Sequence, residues 1–205
     1  MNRLIIILFF VGFVCCQYIY AEGVKHITVT GKVTDNFGKV VPNVPVTDGR
    51  VVVVTDKKGY YELQTMSDKR FVYYTLPSGY IVDLQNSIPQ FYKEIDPSES
   101  KQTVDFTINK STVEQFAHNF IVWGDPQVYK EEEFVLLREV VDDVKQTMSI
   151  SGKPFHAISV GDNIFDRHYL INEYKQTIGD MGIPFYHVIG NHDMNYNKRS
   201  NKDAD

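Results

Sequence analysis

"PFYHVIGNHD", residues 184–193, decides the reading of the second half of the chain. An apolar run behind a proline ends in Gly190, and an amide, an imidazole and a carboxylate follow without a break. Two stretches nearer the N-terminus finish alike, "NFIVWGD" at 119–125 and "FHAISVGDN" at 155–163. Each is a short buried-type run ending in glycine and then Asp or Asn, at Gly124-Asp125, Gly161-Asp162 and Gly190-Asn191. The segments between them read as helices. In "EEEFVLLREVVDDVKQTM", Phe134, Leu137, Val141, Val144 and Met148 recur at intervals of 3, 4, 3 and 4, which makes one apolar helical face. Acidic residues are expected in its first turn and Lys145 near its end, as the helix dipole favours, with Gly152 and Pro154 as the stop. In "YLINEYKQTIGDMG", Ile171, Tyr174, Ile178 and Met181 keep the same step. Strand, helix, strand, helix, strand predicts βαβ units and a parallel sheet.

In an open α/β sheet, ligands gather outside the carboxyl ends of the strands. Glycine lets the chain turn sharply there, and the next residue projects a side-chain oxygen into the crevice. The intervals are 37 residues from Asp125 to Asp162 and 29 from Asp162 to Asn191, each enough for one crossover. A single Gly-Asp is a turn. Three of them, each closing its own strand, bring three oxygen donors together, and Gln127 adds a fourth. No Lys or Arg lies within the three tips, so the carboxylates call for a hard divalent cation.

From His26 to about Asn109 the pattern differs. "HITVTGKVT" alternates, with Ile27, Val29, Gly31 and Val33 on one face. "RVVVVT" and "YYELQT" flank "DKKG", where Gly59 supplies the positive φ of a tight turn. "RFVYYTLPSGYIV" and "QTVDFTI" continue in short runs rich in Val, Tyr and Thr, and the whole predicts an antiparallel sandwich. Tyr60, Tyr61, Tyr73, Tyr74 and Tyr80 suit either a carbohydrate-stacking surface or core and cross-strand packing, the latter being the commoner use. "VTGKVTDNFGKVVPNVPVTDG", "TDKKGYYEL" and "YYTLPSGY" resemble the prealbumin-like sandwich of carboxypeptidase regulatory-like domains.

The N-terminus carries Arg3 and then an apolar run from Leu4 to Cys16, the length of a signal-peptide core and short for a spanning helix. Cleavage after Ala21 and export to the periplasm or extracellular space are expected, the alternative being a retained membrane anchor. Phe13 and Val14 are large where a lipidated cysteine wants small neighbours. Both cysteines, Cys15 and Cys16, lie in this leader, so the remainder can hold no disulfide, thiolate nucleophile or Cys-based zinc site. With 43% apolar and 23% charged residues the chain has the composition of a globular protein. A net charge of −5 with no basic stripe gives no footprint for nucleic acid.

"GDPQ", "GDNIFDR" and "GNHD" resemble, in order, the first three motifs of the calcineurin-like metallophosphoesterases. The resemblance implies an αββα sandwich with two divalent metal ions, manganese, iron or zinc, that hydrolyses a phosphomonoester or phosphodiester by a metal-bridged hydroxide. It implies Asp125 as a ligand of the first metal, Asp162 as the bridge and Asn191 as a ligand of the second. His192 would serve the leaving-group oxygen, Asp166 would orient His192, and Arg167 would touch the phosphate. Asp166 lies one residue further from the bridging Asp than the family spacing. Gln127 stands where the family usually has His, which shifts the preference from zinc toward harder cations. The other histidines attract no role; His187 is expected to be packed within its strand.

The expected organisation is a signal peptide at 1–21, an all-β sandwich at 24–110 and a βαβαβ portion of a metallophosphoesterase domain at 117–205. The family pattern continues into further strands and a Gly-His-x-His element that do not follow Asp193, so this portion is expected to be incomplete and inactive alone. The competing function is a non-catalytic exported sandwich module with a residual α/β segment.

Overall fold

The computed structural model describes residues 23–112 and 117–194. The leader, part of the linker and residues 195–205 lie outside the described residues. The protein is mostly β, with a small α/β part near its C-terminal side.

The β-rich part begins with β1 (His26–Asp35), β2 (Pro45–Thr47), β3 (Val52–Val54), β4 (Tyr60–Met66), β5 (Phe71–Tyr74) and β6 (Tyr80–Ile81). A two-stranded hairpin of β7 (Leu84–Gln85) and β8 (Ile88–Pro89) follows, then β9 (Tyr92–Glu94), β10 (Lys101–Thr103) and β11 (Phe106–Lys110). One sheet has the order β10-β1-β11-β6 with β4 on the other side of β1, and the second runs β3-β2-β5-β9. A single apolar cluster joins the two: Ile27, Val29 and Val33 from β1 face Val46, Val72 and Tyr74 from the second sheet. The alternation of β1 is as expected, with Ile27, Val29, Gly31 and Val33 all buried. Gly59 takes φ +72 in its turn.

The expectation of a wholly antiparallel sandwich is corrected. β1 pairs antiparallel with β4 but parallel with both β10 and β11. A parallel pair needs a long crossover, and the second sheet, lying between β1 and β10 in sequence, supplies it. β10 and β11 keep one register along β1 and are interrupted only at Val104 and Asp105. There the backbone leans into β1. A Cβ on Gly31 would lie 1.9 Å from the Val104 carbonyl oxygen, so glycine is what the strand accommodates. Tyr61 Oη donates to the same oxygen at 2.5 Å, and the Lys32 amide bonds Asp105 Oδ1 at 2.7 Å. The tyrosines form no common surface. Tyr61 and Tyr74 are in the core, Tyr60 points out, and Tyr73 packs edge-on against Phe91.

The α/β part contains β12 (Asn119–Trp123), α1 (Phe134–Ser151), β13 (Phe155–Ser159), α2 (Ile171–Gly179) and β14 (Phe185–Tyr186). The three strands are parallel and adjacent in chain order. Phe134, Leu137 and Val141 of α1 and Tyr174 and Ile178 of α2 are buried against Trp123, Ala157 and Phe185, with Val144, Met148 and Ile171 at the margin. Arg138 of α1 and Glu173 of α2 make a 2.7 Å ion pair across the helices. Gly152 ends α1 in the left-handed conformation, φ +63.

Two local expectations are corrected. Glu131–Glu133 form a separate 3₁₀ turn ahead of α1, so the first turn of the helix holds no acid and its last turn no base. The third strand is only two residues long, because its backbone partners on β13 extend over Ala157 and Ile158 alone. Beyond it a side chain takes over: the Val188 amide donates to Ser159 Oγ at 3.0 Å.

Candidate functional site

The loops after the three strands converge as the strand order requires. The loop after β12 runs beside the loop after β13: Gln127 N–H bonds Asp162 O at 3.0 Å, and Phe165 N–H bonds Val128 O at 3.0 Å. The loop after β14 locks into the same place. A Cβ on Gly190 would sit 2.0 Å from Asp162 Oδ1, and one on Gly161 would meet Gly190 Cα at 3.1 Å. Glycine at both positions allows the two backbones to touch. The His192 amide then donates to Asp162 Oδ1 at 3.1 Å.

Four non-glycine residues in these loops adopt left-handed backbone, Asp166 and the three at the strand tips: Asp125 (φ +43), Gln127 (φ +43) and Asp162 (φ +49). Such conformations cost about 1 kcal/mol or more each and persist where surrounding structure holds them, often at functional sites. Gln127 Nε2 donates to Asp125 Oδ1 at 3.1 Å. Asn191 is exposed at the head of a short 3₁₀ turn, Asn191–Asp193. The structure therefore links Asp125 with Gln127, Gln127 with Asp162, and Asp162 with the Asn191–Asp193 turn.

The imidazole of His192 is held from two sides. Its Nδ1 lies 3.1 Å from Asp166 Oδ1, and since a carboxylate can only accept, Nδ1 carries the proton. The Phe165 ring stacks on it at 4.1 Å and 19°. The Asp166 amide returns a bond to His192 O at 3.2 Å. Asp166 is also left-handed, φ +55. The extra residue in its spacing thus does not keep its carboxylate from the imidazole. Arg167 is turned toward Tyr129: Nη2 donates to the phenol oxygen at 2.7 Å, and the guanidinium lies 4.6 Å from the ring centre. It joins the cluster through Tyr129, whose ring meets Phe165 edge-on at 5.9 Å.

Asp193 staples the third loop to the second. Its carboxylate accepts from Asn163 N at 3.1 Å, Asn163 Nδ2 at 2.9 Å, Ile164 N at 2.9 Å and Gly190 N at 3.0 Å. Sequence reasoning missed Asn163, which is buried and also accepts from Tyr174 Oη at 2.9 Å. The signal was present as an amide inside an apolar neighbourhood directly after Asp162. Tyr129 and Phe165 were missed as well, since a lone aromatic in a loop carries no pattern. His187 is packed as expected, its ring 4.7 Å from that of Phe185.

Among the described residues no group of three His, Cys, Asp or Glu side chains gathers as a ready-made metal cage. The oxygen donors carried by these interlocked loops are two carboxylates and two carboxamides, Asp125, Asp162, Gln127 and Asn191. This all-oxygen set fits a hard divalent cation and offers nothing that selects a soft one.

Residues 27–111 match a family model described as the N terminal of calcineurin-like phosphoesterase. No curated protein matches the chain. Among solved structures the chain is similar to the Bacillus anthracis TIE protein, at 14% identity and a TM-score of 0.30, over 48% of this chain and 19% of that one. The chain thus spans about a fifth of the length of that protein. The family match falls on the two-sheet β-rich part, from β1 to the end of β11.

Proposed function

We propose that the protein is an exported, metal-dependent phosphoesterase whose sandwich, residues 24–110, precedes a hydrolytic α/β domain beginning near residue 117. The observation that carries this reading is the interlock of three neighbouring strand ends, with Asp162 at its centre. Asp125, Gln127, Asp162 and Asn191 would hold divalent metal ions of the manganese, iron or zinc group. Bound there, the ions would neutralise phosphate charge and supply a nucleophilic water at neutral pH.

The chain's own residues prepare the rest. The Gly161–Gly190 contact places the Asp162 carboxylate against the His192 backbone. Asp166 and Phe165 fix the imidazole plane, and in the imidazolium form, with Nδ1–H held by Asp166, Nε2–H can give its proton to a departing alkoxide or phenoxide and leave the neutral ring. Tyr129 holds Arg167 at the rim, where a guanidinium can meet a phosphoryl oxygen in bidentate fashion. Four donors are fewer than two ions at five or six positions each require, so this set by itself supports little turnover.

The competing reading, a non-catalytic exported module, draws on the family match lying on the sandwich alone. Metal content separates the two. In the purified chain incubated with manganese, Asp162→Ala should lose more bound metal than Gln127→Ala, because a bridging carboxylate serves both ions. Equal manganese content in Asp162→Ala and the parent, by elemental analysis, would favour the non-catalytic module.

A further inference from the structure

The hairpin β7–β8 stands apart from both sheets and reaches the α/β part. Its two-residue loop is Asn86-Ser87, with Leu84 opposite Pro89 and Gln85 opposite Ile88. Both loop residues are left-handed, φ +50 and +60, the geometry of a type I′ turn. Asn is at home in the first position, but the second normally belongs to glycine. Serine there is strained, and a turn serving only to reverse the chain gains nothing from it.

What the serine gains is a partner. Ser87 is 3% exposed, although it sits at a hairpin tip. Its Oγ donates to Gly179 O at 3.1 Å, at the C-terminal end of α2, and its carbonyl accepts the Phe185 amide at 2.8 Å, at the start of β14. The receiving surface is fitted to the tip as well. A Cβ on Gly179 would lie 3.3 Å from Asn86 Cα and C, so glycine keeps the approach open. Phe91, just past the hairpin, packs on Tyr186 at 5.8 Å.

We infer that Ser87 is a positioning residue for the strand-end site: the sandwich tip fixes the free edge of β14 and through it the Gly190–Asp193 loop. The path is short. The bond at Phe185 sets the entry of β14, Ser159 Oγ takes the Val188 amide at 3.0 Å, and Gly190 then meets Asp162. Among the described residues β14 has a sheet partner on one side only, so the hairpin takes the place of a neighbour on the other. The inference rests on the site proposed above for its purpose, but the test needs neither metal nor substrate, so the two readings fail separately.

The test follows two amides by hydrogen exchange in the full chain, that of Phe185 and that of His192, which donates to Asp162 Oδ1. Ser87→Asp sets a carboxylate against the carbonyl end of α2, and is expected to speed Phe185 exchange at least about tenfold and His192 exchange several-fold, while Val72 in the sandwich core stays protected. Ser87→Gly suits the turn and removes only the hydroxyl bond; a several-fold rise in Phe185 exchange with a smaller rise at His192 is expected, and this variant decides the matter if Ser87→Asp does not fold. Unprotected Phe185 in the parent overturns the inference. So does loss of its protection with His192 exchange unchanged, which would make the hairpin a strut and nothing more.

Discussion

His187 shows how one side chain ties stability to pH. Its ring stacks on Phe185 and meets Tyr174 edge-on at 5.7 Å, and its Nε2 is buried without a hydrogen-bond partner. Burial, and to a lesser degree Lys175, push its pKa down to about 4, against the opposing pull of Asp193. In the unfolded chain the ring titrates near the ordinary histidine value, about 6.5. Between those two values the unfolded state binds the extra proton and the native state does not. The contribution is therefore fully present above about pH 6.5, is lost as pH falls below it, and levels off under about pH 4. The shift corresponds to about 3 kcal/mol over that window. The single tryptophan, Trp123, lies in β12 and reports on this part of the protein. Urea unfolding followed by its fluorescence should show stability falling from about pH 6.5 to about 4.5, and His187→Phe should flatten much of that slope. His156 also has its pKa lowered, by burial and by His118, so only the difference between parent and variant belongs to His187. The same slope in both proteins would contradict a neutral buried His187.

At the scale of elements, periodicity made the helices and β1 legible. Alternation of Ile27, Val29, Gly31 and Val33 is what a half-buried strand must show, and the 3-4 spacing of Phe134 to Met148 is what one buried helical face must show. Pairing partners were not legible. β10 reaches β1 across the whole second sheet, and nothing local in "QTVDFTI" distinguishes a parallel neighbour from an antiparallel one. The third strand reads longer in sequence than it is, because an apolar run says that residues are buried, while ladder bonds depend on how far the neighbouring strand continues. Gly31 joins the two levels: its place on the inner face was readable, but its necessity comes from Val104 on a distant segment. Gly31→Ala would force a methyl group to within 1.9 Å of a carbonyl oxygen and 2.9 Å of the Tyr61 ring. Neither β1 nor the Val104 backbone can yield without disturbing the Tyr61–Val104 bond. A loss of about 3 kcal/mol or more is expected. A thermal melt by far-ultraviolet circular dichroism that matches the parent would show that the strand gives way easily.

At the scale of the whole molecule, the strand ends at Asp125, Asp162 and Asn191 were readable because each closes its own apolar run, whereas their support was not. Asn163, Ser159 and the Ser87 hairpin act through bonds between segments far apart in sequence. The two apolar clusters also differ in how well they are enclosed. The sandwich cluster is bounded by a sheet on each side. The α/β cluster has helices over one face of its sheet. On the other face Phe120 is 55% exposed and Val122 61%, with Val160 and Val188 beside them. Parallel strands are ordinarily covered on both faces, so among the described residues this sheet forgoes part of the burial that stabilises its kind. Local opening should therefore begin in the α/β part. The sandwich meets that part chiefly through the Asn86-Ser87 tip and Phe91, and losing these contacts leaves its own cluster closed. Two measurements check this. Limited proteolysis of the full chain should degrade residues 117–194 first and leave a resistant core spanning about 24–110. That segment expressed alone should unfold cooperatively, with amide protection at Val72 within about tenfold of the full chain. First cuts inside β1 to β5, or an isolated sandwich without a cooperative transition, would show that the sandwich owes its stability to the α/β part rather than lending it.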